Sequence, residues 1–348
     1  MKFKIALIFI SISLCSVHYH DVKRSVMYGP HLEFKSTSYL DMQKGIEYRN
    51  QHQKYFWAGR IVSEYAASMW CYLSGSHANK FYSAQKNYNE KRCAETQMAY
   101  LQQIDRLSNS IAGYSAAVLF ISFLIIIFYS KRPLLFVFGM SAALQYAWLP
   151  MAEQQVNPWD QLALLSWIII LMLESSKYKK HIVWVIPLLS LLKETTAVLS
   201  ILILFWDDVA LKDRIRMFAL SLGLSVVAKC VTSYMGGSRS ALTNQSWQYD
   251  YNPKLGRNGC RTGERWIFER NLNSLGWWSN FNHVAFSVAG TWVATLLLPI
   301  KKSYKALTIS YLLSIFIILP GNITEARLWQ ELIPVFFVGF ENIKGRAQ

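Results

Sequence analysis

The stretch IVWVIPLLSLLKETTAVLSILILFW, residues 182–206, decides how this chain folds. Two apolar runs, 182–192 and 195–206, flank the charged pair Lys193-Glu194. Read as one helix crossing a bilayer, the stretch would put Lys177, Lys179 and Lys180 on one side and Lys212, Arg214 and Arg216 on the other. Basic residues in short loops stay cytoplasmic, so two half-helices that return both clusters to one side fit better. Half-helices of eleven or twelve residues at 1.5 Å rise reach only ~16–18 Å, about half the hydrocarbon core. The turn at Lys193-Glu194-Thr195-Thr196 is then expected below the outer surface. Irregular backbone at that depth is tolerated only in protein or beside a wet cavity. The stretch therefore predicts a hairpin bordering a polar cavity open to the outside.

Apolar stretches at about 4–17, 111–130, 134–150, 159–174, 217–235, 281–300, 304–319 and 328–340 flank this hairpin. Counting its two arms, about ten membrane segments are expected, and only 111–130, 217–235 and 281–300 have conventional length. With the amino terminus inside, Lys2 and Lys4, Lys131-Arg132, Lys177 to Lys180, Lys212 to Arg216, Lys301 to Lys305, and Lys344 with Arg346 all fall inside. The short outer connections, 151–158 and 320–327, carry Arg327 as their one base and Glu153 and Glu325 as acids. Both termini are therefore expected in the cytoplasm.

The composition agrees: 53% of residues are hydrophobic and 16% charged, against about 25% charged in a soluble domain. The net charge of +15 is topological on this reading, with no nucleic-acid partner. The expected class is all-α, a multi-pass membrane helix bundle with short half-helices, forming one membrane domain over 1–348. Two long outer loops interrupt it, 18–110 and 236–280. The first is expected to bear surface helices, 84–107 among them, lying against membrane lipids. The basic and apolar start reads as an uncleaved first anchor. Cys71 and Cys93, both in the first outer loop, are either a disulfide pair or free thiols.

Ionisable residues inside membrane segments are costly and mark function by default. Lys193-Glu194 is one such site, read either as functional or as a buried ion pair or cap holding the hairpin. Gly321-Asn322-Ile323-Thr324-Glu325-Ala326-Arg327 is the other, where Glu325 and Arg327 pair with each other, with another helix, or anchor at the interface. Asp21 follows the first apolar segment and can serve as a general base if an acceptor hydroxyl comes within hydrogen-bond reach. Asp41 is its rival, and the residues do not separate them. Arg60, on the aromatic stretch Tyr55 to Arg60, faces a lipid phosphate or the headgroup layer. Arg257, Arg261, Arg265 and Arg270 either bind phosphate or form a solvated basic loop. Asp160 reads as a helix cap after Pro158. There is no glycine-rich phosphate loop, hydrolase elbow or metal-ligand spacing; no cofactor is predicted, and a divalent metal is left open.

The basic amino terminus, the long first outer loop with its acid, the short helices, Lys193-Glu194-Thr195, and the stretch Glu325-Ala326-Arg327-Leu328-Trp329-Gln330-Glu331-Leu332-Ile333-Pro334 together resemble bacterial polytopic glycosyltransferases of the GT-C superfamily. The resemblance covers most of the chain in layout, and in residues only the Lys-Glu-Thr and Glu-x-Arg stretches. It implies transfer of a sugar from a polyprenyl-phosphate donor to an acceptor on the outer face of a bacterial inner membrane. It also implies Asp21 or Asp41 as base, with Lys193, Arg327 and Arg265 toward the carrier phosphate. The family's paired Asp-Glu after the first helix is missing here. An envelope polysaccharide polymerase or ligase, and a transporter or flippase without catalysis, are the competing readings.

Overall fold

The computed structural model describes residues 2–28, 40, 43, 61–148, 158–174, 176–206, 209–235, 294–314 and 330–343. Their regular elements are all helices, joined by short turns, without a strand among the described residues, as the all-α expectation requires. Two helices, Lys2–Met27 and Ala94–Tyr129, are long and apolar enough to cross a membrane, and Pro133–Ala143, Thr195–Leu204 and Gln330–Gly339 are shorter apolar helices. The expected second outer loop, 236–280, and residues 281–293 of the expected segment 281–300 lie outside the described residues.

Helix α1 (Lys2–Tyr28) runs well past the expected end at residue 17. Its polar second half continues because α4 (Ala94–Tyr129), packed antiparallel to it, supplies partners. His18 Nε2 is 2.7 Å from the Ser115 hydroxyl, Tyr19 donates to Asn109 Oδ1 at 2.7 Å, and Lys23 pairs with Asp105 at 3.0 Å. Lys4 sits over the Phe128 ring, 5.1 Å from its centre. The described part of the expected first outer loop, 18–110, differs from expectation too. Helices α2 (Ile61–Leu73) and α3 (Ala78–Lys91) meet at a turn through Gly75, whose φ of +87° suits glycine. The expected helix over 84–107 is broken at Arg92, which takes a left-handed φ of 47° and donates its N–H to the Tyr88 carbonyl. The chain restarts at Cys93 and continues unbroken into the apolar stretch, so surface and membrane-length helices fuse into α4.

Pro133 opens α5 (Pro133–Trp148) and Pro158 opens α6 (Pro158–Glu174), the first-turn position where a missing N–H costs nothing. Helix α5 packs against α4 and α1, and Gly139 lets α11 (Ile333–Ile343) approach it: a Cβ there would lie 2.2 Å from Phe337. Two buried clusters divide the bundle along its length. Leu107, Ile111 and Ala112 of α4 join Phe81 and Ala67 in one, against which Leu162 and Leu165 of α6 pack. Phe123 and Ile126 of α4 join Trp167 and Leu171 of α6 in the other, where Trp167 meets Tyr311 of α10 (Lys302–Leu313) edge-on at 5.2 Å.

The decisive stretch folds back. Helix α7 (Ile182–Leu189) ends, Lys193 is extended at φ −162° and ψ 150°, and the chain resumes as a 3-10 helix, Glu194–Ser200, leading into α8 (Ile201–Leu204). Lys179 before the arms lies over Trp206 after them, 5.0 Å from the ring centre, so both ends share one side. Arg214 of α9 (Leu211–Met235) donates to the Leu204 carbonyl there, at 2.9 Å. Lys301 pairs with Glu174 at 2.6 Å, and Tyr304 also donates to that carboxylate. The basic connections thus collect at one end of the bundle and the Lys193 turn points to the other.

Two predictions follow from this arrangement. Cysteines introduced at the exposed positions Lys177 and Lys212 should react with an impermeant maleimide from the same side of sealed membranes, with Cys93 reacting from the opposite side. Labelling of 177 and 212 from opposite sides would overturn the hairpin. Cys71 and Cys93 are free, one buried and one exposed. Burial pushes the Cys71 thiol up to about 12, whereas the Thr96 hydroxyl beside Cys93 holds that thiol below its ordinary value. Since the thiolate is the nucleophile, iodoacetamide near pH 8 should alkylate Cys93 and spare Cys71 until the protein unfolds. The Cys93 rate should rise with pH through a midpoint below that of an ordinary exposed cysteine thiol. Equal modification of both in the folded protein would contradict this placement.

Candidate functional site: a buried ion triad at the hairpin turn

Interrupting a helix frees carbonyls at its last turn, and these must find donors when buried. Hydroxyl side chains meet that need here. Thr196 donates to the Leu189 and Lys193 carbonyls, each at 2.6 Å, and Ser190 donates to Pro187 at 2.6 Å. Ser63 of α2 donates to the Leu192 carbonyl at 2.5 Å, which ties α2 to the turn. The Thr and Ser residues around Lys193 are therefore the local reason the chain turns at this point.

Lys193 is 1% exposed. Its ammonium lies 2.8 Å from Asp160 Oδ1 and donates to Glu331 Oε1 at 2.6 Å. Thr195 donates to the same Glu331 oxygen at 2.7 Å. Asp160 comes from the first turn of α6, and Glu331 from the 3-10 turn Gln330–Leu332 that leads into α11. Three segments distant in sequence thus converge on one cation. Burying an ion costs several kcal/mol, roughly offset only when geometry and additional hydrogen bonds are good. Two carboxylates and one ammonium leave an excess negative charge when all three are ionised. Glu331 Oε2 and both ends of the Gln161 amide are buried without a protein hydrogen-bond partner among the described residues. The cluster therefore keeps polar capacity beyond its own ion pairs.

The expected site residues are distributed as follows. Lys193 has its charge directed to Asp160 and Glu331, which is the buried ion pair that was one of the two readings of this position. Glu194 begins the 3-10 arm beside it. Asp21 is exposed and lies inside α1, two turns before its end, instead of in a loop following the first segment. Asp41, Arg60, Arg265, Glu325 and Arg327 lie outside the described residues. Asp160 and Glu331 were not singled out for this role. The signal that finds them is charge balance: a lysine within an apolar stretch requires a buried acid, and these two acids also sit in apolar runs, 159–174 and 328–340. No group of three or more His, Cys, Asp or Glu side chains able to hold a metal occurs among the described residues.

Lys193→Met should destabilise the protein by about 3–5 kcal/mol, because it strands two buried carboxyl groups. The neutral triple variant D160N/K193M/E331Q should recover a large part of that loss, as read by thermal unfolding in one detergent. A triple variant no more stable than K193M would show that charge balance is not what holds the turn. No protein family matches the chain, and no characterised protein or solved structure is significantly similar to it.

Proposed function

We propose that this protein is a membrane glycosyltransferase that moves a sugar from a polyprenyl-phosphate donor to an acceptor on the non-cytoplasmic face. The observation that carries the reading is the Lys193 turn, joined to α2 of the first outer segment through Ser63 and to the start of α11 through Glu331, at the end away from the basic connections. That arrangement supports a bundle of about ten segments whose polar groups gather outside. Nucleotide-activated sugars are made in the cytoplasm. An outward site therefore needs a donor carried through the membrane, and a lipid-linked sugar meets that need.

Two further candidates are tethered to this turn by the chain itself. Arg60 is three residues from Ser63 and Arg327 four residues from Glu331, spans of at most ~11 and ~14 Å whatever their conformation. Both are within reach of a carrier phosphate bound near the turn, where a guanidinium binds two phosphate oxygens at once. In this reaction a carboxylate, Asp21 of α1 or Asp41 beyond it in sequence, takes the acceptor hydroxyl proton. The acceptor oxygen then bonds to the anomeric carbon as the bond to phosphate breaks, and the polyprenyl phosphate leaves with the electron pair. Fixed cations near the leaving group stabilise the charge that develops. Lys193 contributes by positioning: it holds the turn against α6 and α11. A helix broken near a buried ion cluster is also a device of transporters, and the same experiment separates the two.

Proteoliposomes should transfer radiolabelled sugar from polyprenyl phosphate into a new glycosidic bond, whereas a transporter would move substrate without forming one. Arg327→Ala should lower the rate by at least about 100-fold, the scale of removing one charge-stabilising donor. Asp21→Asn or Asp41→Asn should abolish transfer in a normally folded protein. Full activity in both Asp variants would remove the assignment of the base.

A further inference from the structure

Tyr65, Met69 and Tyr72 lie along one face of α2, while Ser63, Ala67 and Cys71 face the core. The outward row borders a cavity of about 600 Å3 whose other walls include His77, Asn79 and Lys80 of the α2–α3 corner. That volume falls within the ~300–1,000 Å3 typical of small-molecule sites. The corner is firmly seated. Gln43 spends its whole amide on it, donating to the Ser76 carbonyl at 2.9 Å and the Ser68 carbonyl at 3.4 Å and accepting from the Ala78 N–H at 2.9 Å. Trp70 donates to the Ser110 carbonyl of α4 at 3.0 Å, and the Ser76 and Ser110 hydroxyls are 2.7 Å apart. The His77 ring meets the Tyr72 ring edge-on, 4.9 Å between centres, and fixes its tilt. The cavity is therefore preformed.

Its chemistry is mixed in a particular way. Tyr65 and Tyr72 are exposed by more than half, so both rings can be reached by a ligand in the cavity. The side chains of Tyr65, Asn79 and Lys80 make no hydrogen bond or ion pair to a described residue, so a hydroxyl, an amide and an ammonium stand open at the rim. A purely apolar ligand would strand those groups, and a small ion would leave the rings unused. A sugar ring satisfies both, since its C–H face packs on an aromatic ring while its hydroxyls exchange hydrogen bonds with amide, phenol and ammonium groups.

We infer that the α2–α3 corner is a saccharide-binding subsite, with Tyr65 and Tyr72 as stacking platforms and Asn79 and Lys80 reading ring hydroxyls. The saccharide site stands on this geometry. Its role as the seat of the acceptor, which would make that acceptor an oligosaccharide, rests on the glycosyl-transfer reading. The test is a printed array of defined oligosaccharides probed with the purified full-length chain in detergent. The wild type should bind a subset of these glycans, and Tyr65→Ala and Tyr72→Ala should each weaken binding about tenfold or more. Lys91→Ala, at the far end of α3, should leave it unchanged. Should a tyrosine variant unfold at a lower temperature than wild type, Asn79→Ala replaces it with the same expectation. No binding above a detergent-only control, or variants that bind as wild type does, would overturn the subsite. The array reads binding without turnover, so its failure removes this subsite and leaves the transfer reaction to its own assay.

Discussion

A lysine ammonium removed from solvent needs negative charge within a few ångströms, and Lys193 obtains it from Asp160 and Glu331. Much of the architecture follows from that requirement. The start of α6, the tip of the hairpin and the entry to α11 meet at this cation, because it is buried only with negative charge beside it, supplied by Asp160 and by Glu331, whose carboxylate Thr195 also hydrogen-bonds. The side chains that close the turn, Thr196 and Ser63, act on the same few residues by satisfying backbone carbonyls that the broken helix releases. Charge pairing and carbonyl capping thus fix one point in three dimensions from four separate parts of the chain.

The remainder of the bundle is arranged around that point by packing. The two buried clusters lie at different heights along α4 and α6, one beside α2 and α3 and one toward the basic connections. Close approach of α5 and α11 depends on the absence of a side chain at Gly139. Between α1 and α4 the contacts are polar as well as apolar, with Tyr19, Asn109, Lys23 and Asp105 forming a ladder along the carboxyl-terminal half of α1. A polar ladder of this kind fixes register, since a shift of one helical turn would part every rung. It also explains why α1 persists beyond its apolar stretch.

Legibility differed between the elements for physical reasons. The break near residue 193 was readable because a charged pair between two short apolar runs, with basic clusters on both flanks, fits few other geometries. The fusion of 94–107 with 111–130 was not readable, since weak amphipathicity marks a helix without marking where it joins the next one. Within the site, Lys193 declared itself by its surroundings in sequence. Asp160 and Glu331 did not, because each reads locally as a helix-terminal acid and gains its meaning only from a partner 33 or 138 positions away. The α2–α3 cavity was equally hidden. Tyr65 and Tyr72 share a helix face by spacing alone, but the walls opposite them depend on a turn at Gly75 and on Gln43 reaching back to close it.

The sequence by itself determined the all-helical class, the half-helical reading of 182–206 and the expected sidedness of the basic connections, because these depend on hydropathy period, segment length and charge placement along the chain. Only the tertiary structure decided that Lys193 is held between two acids, that Ser63 joins α2 to the turn, and that two tyrosines border a cavity. Ion pairing, hydroxyl capping and cavity walls are relations between residues brought together by folding, and order along the chain does not encode which residues meet.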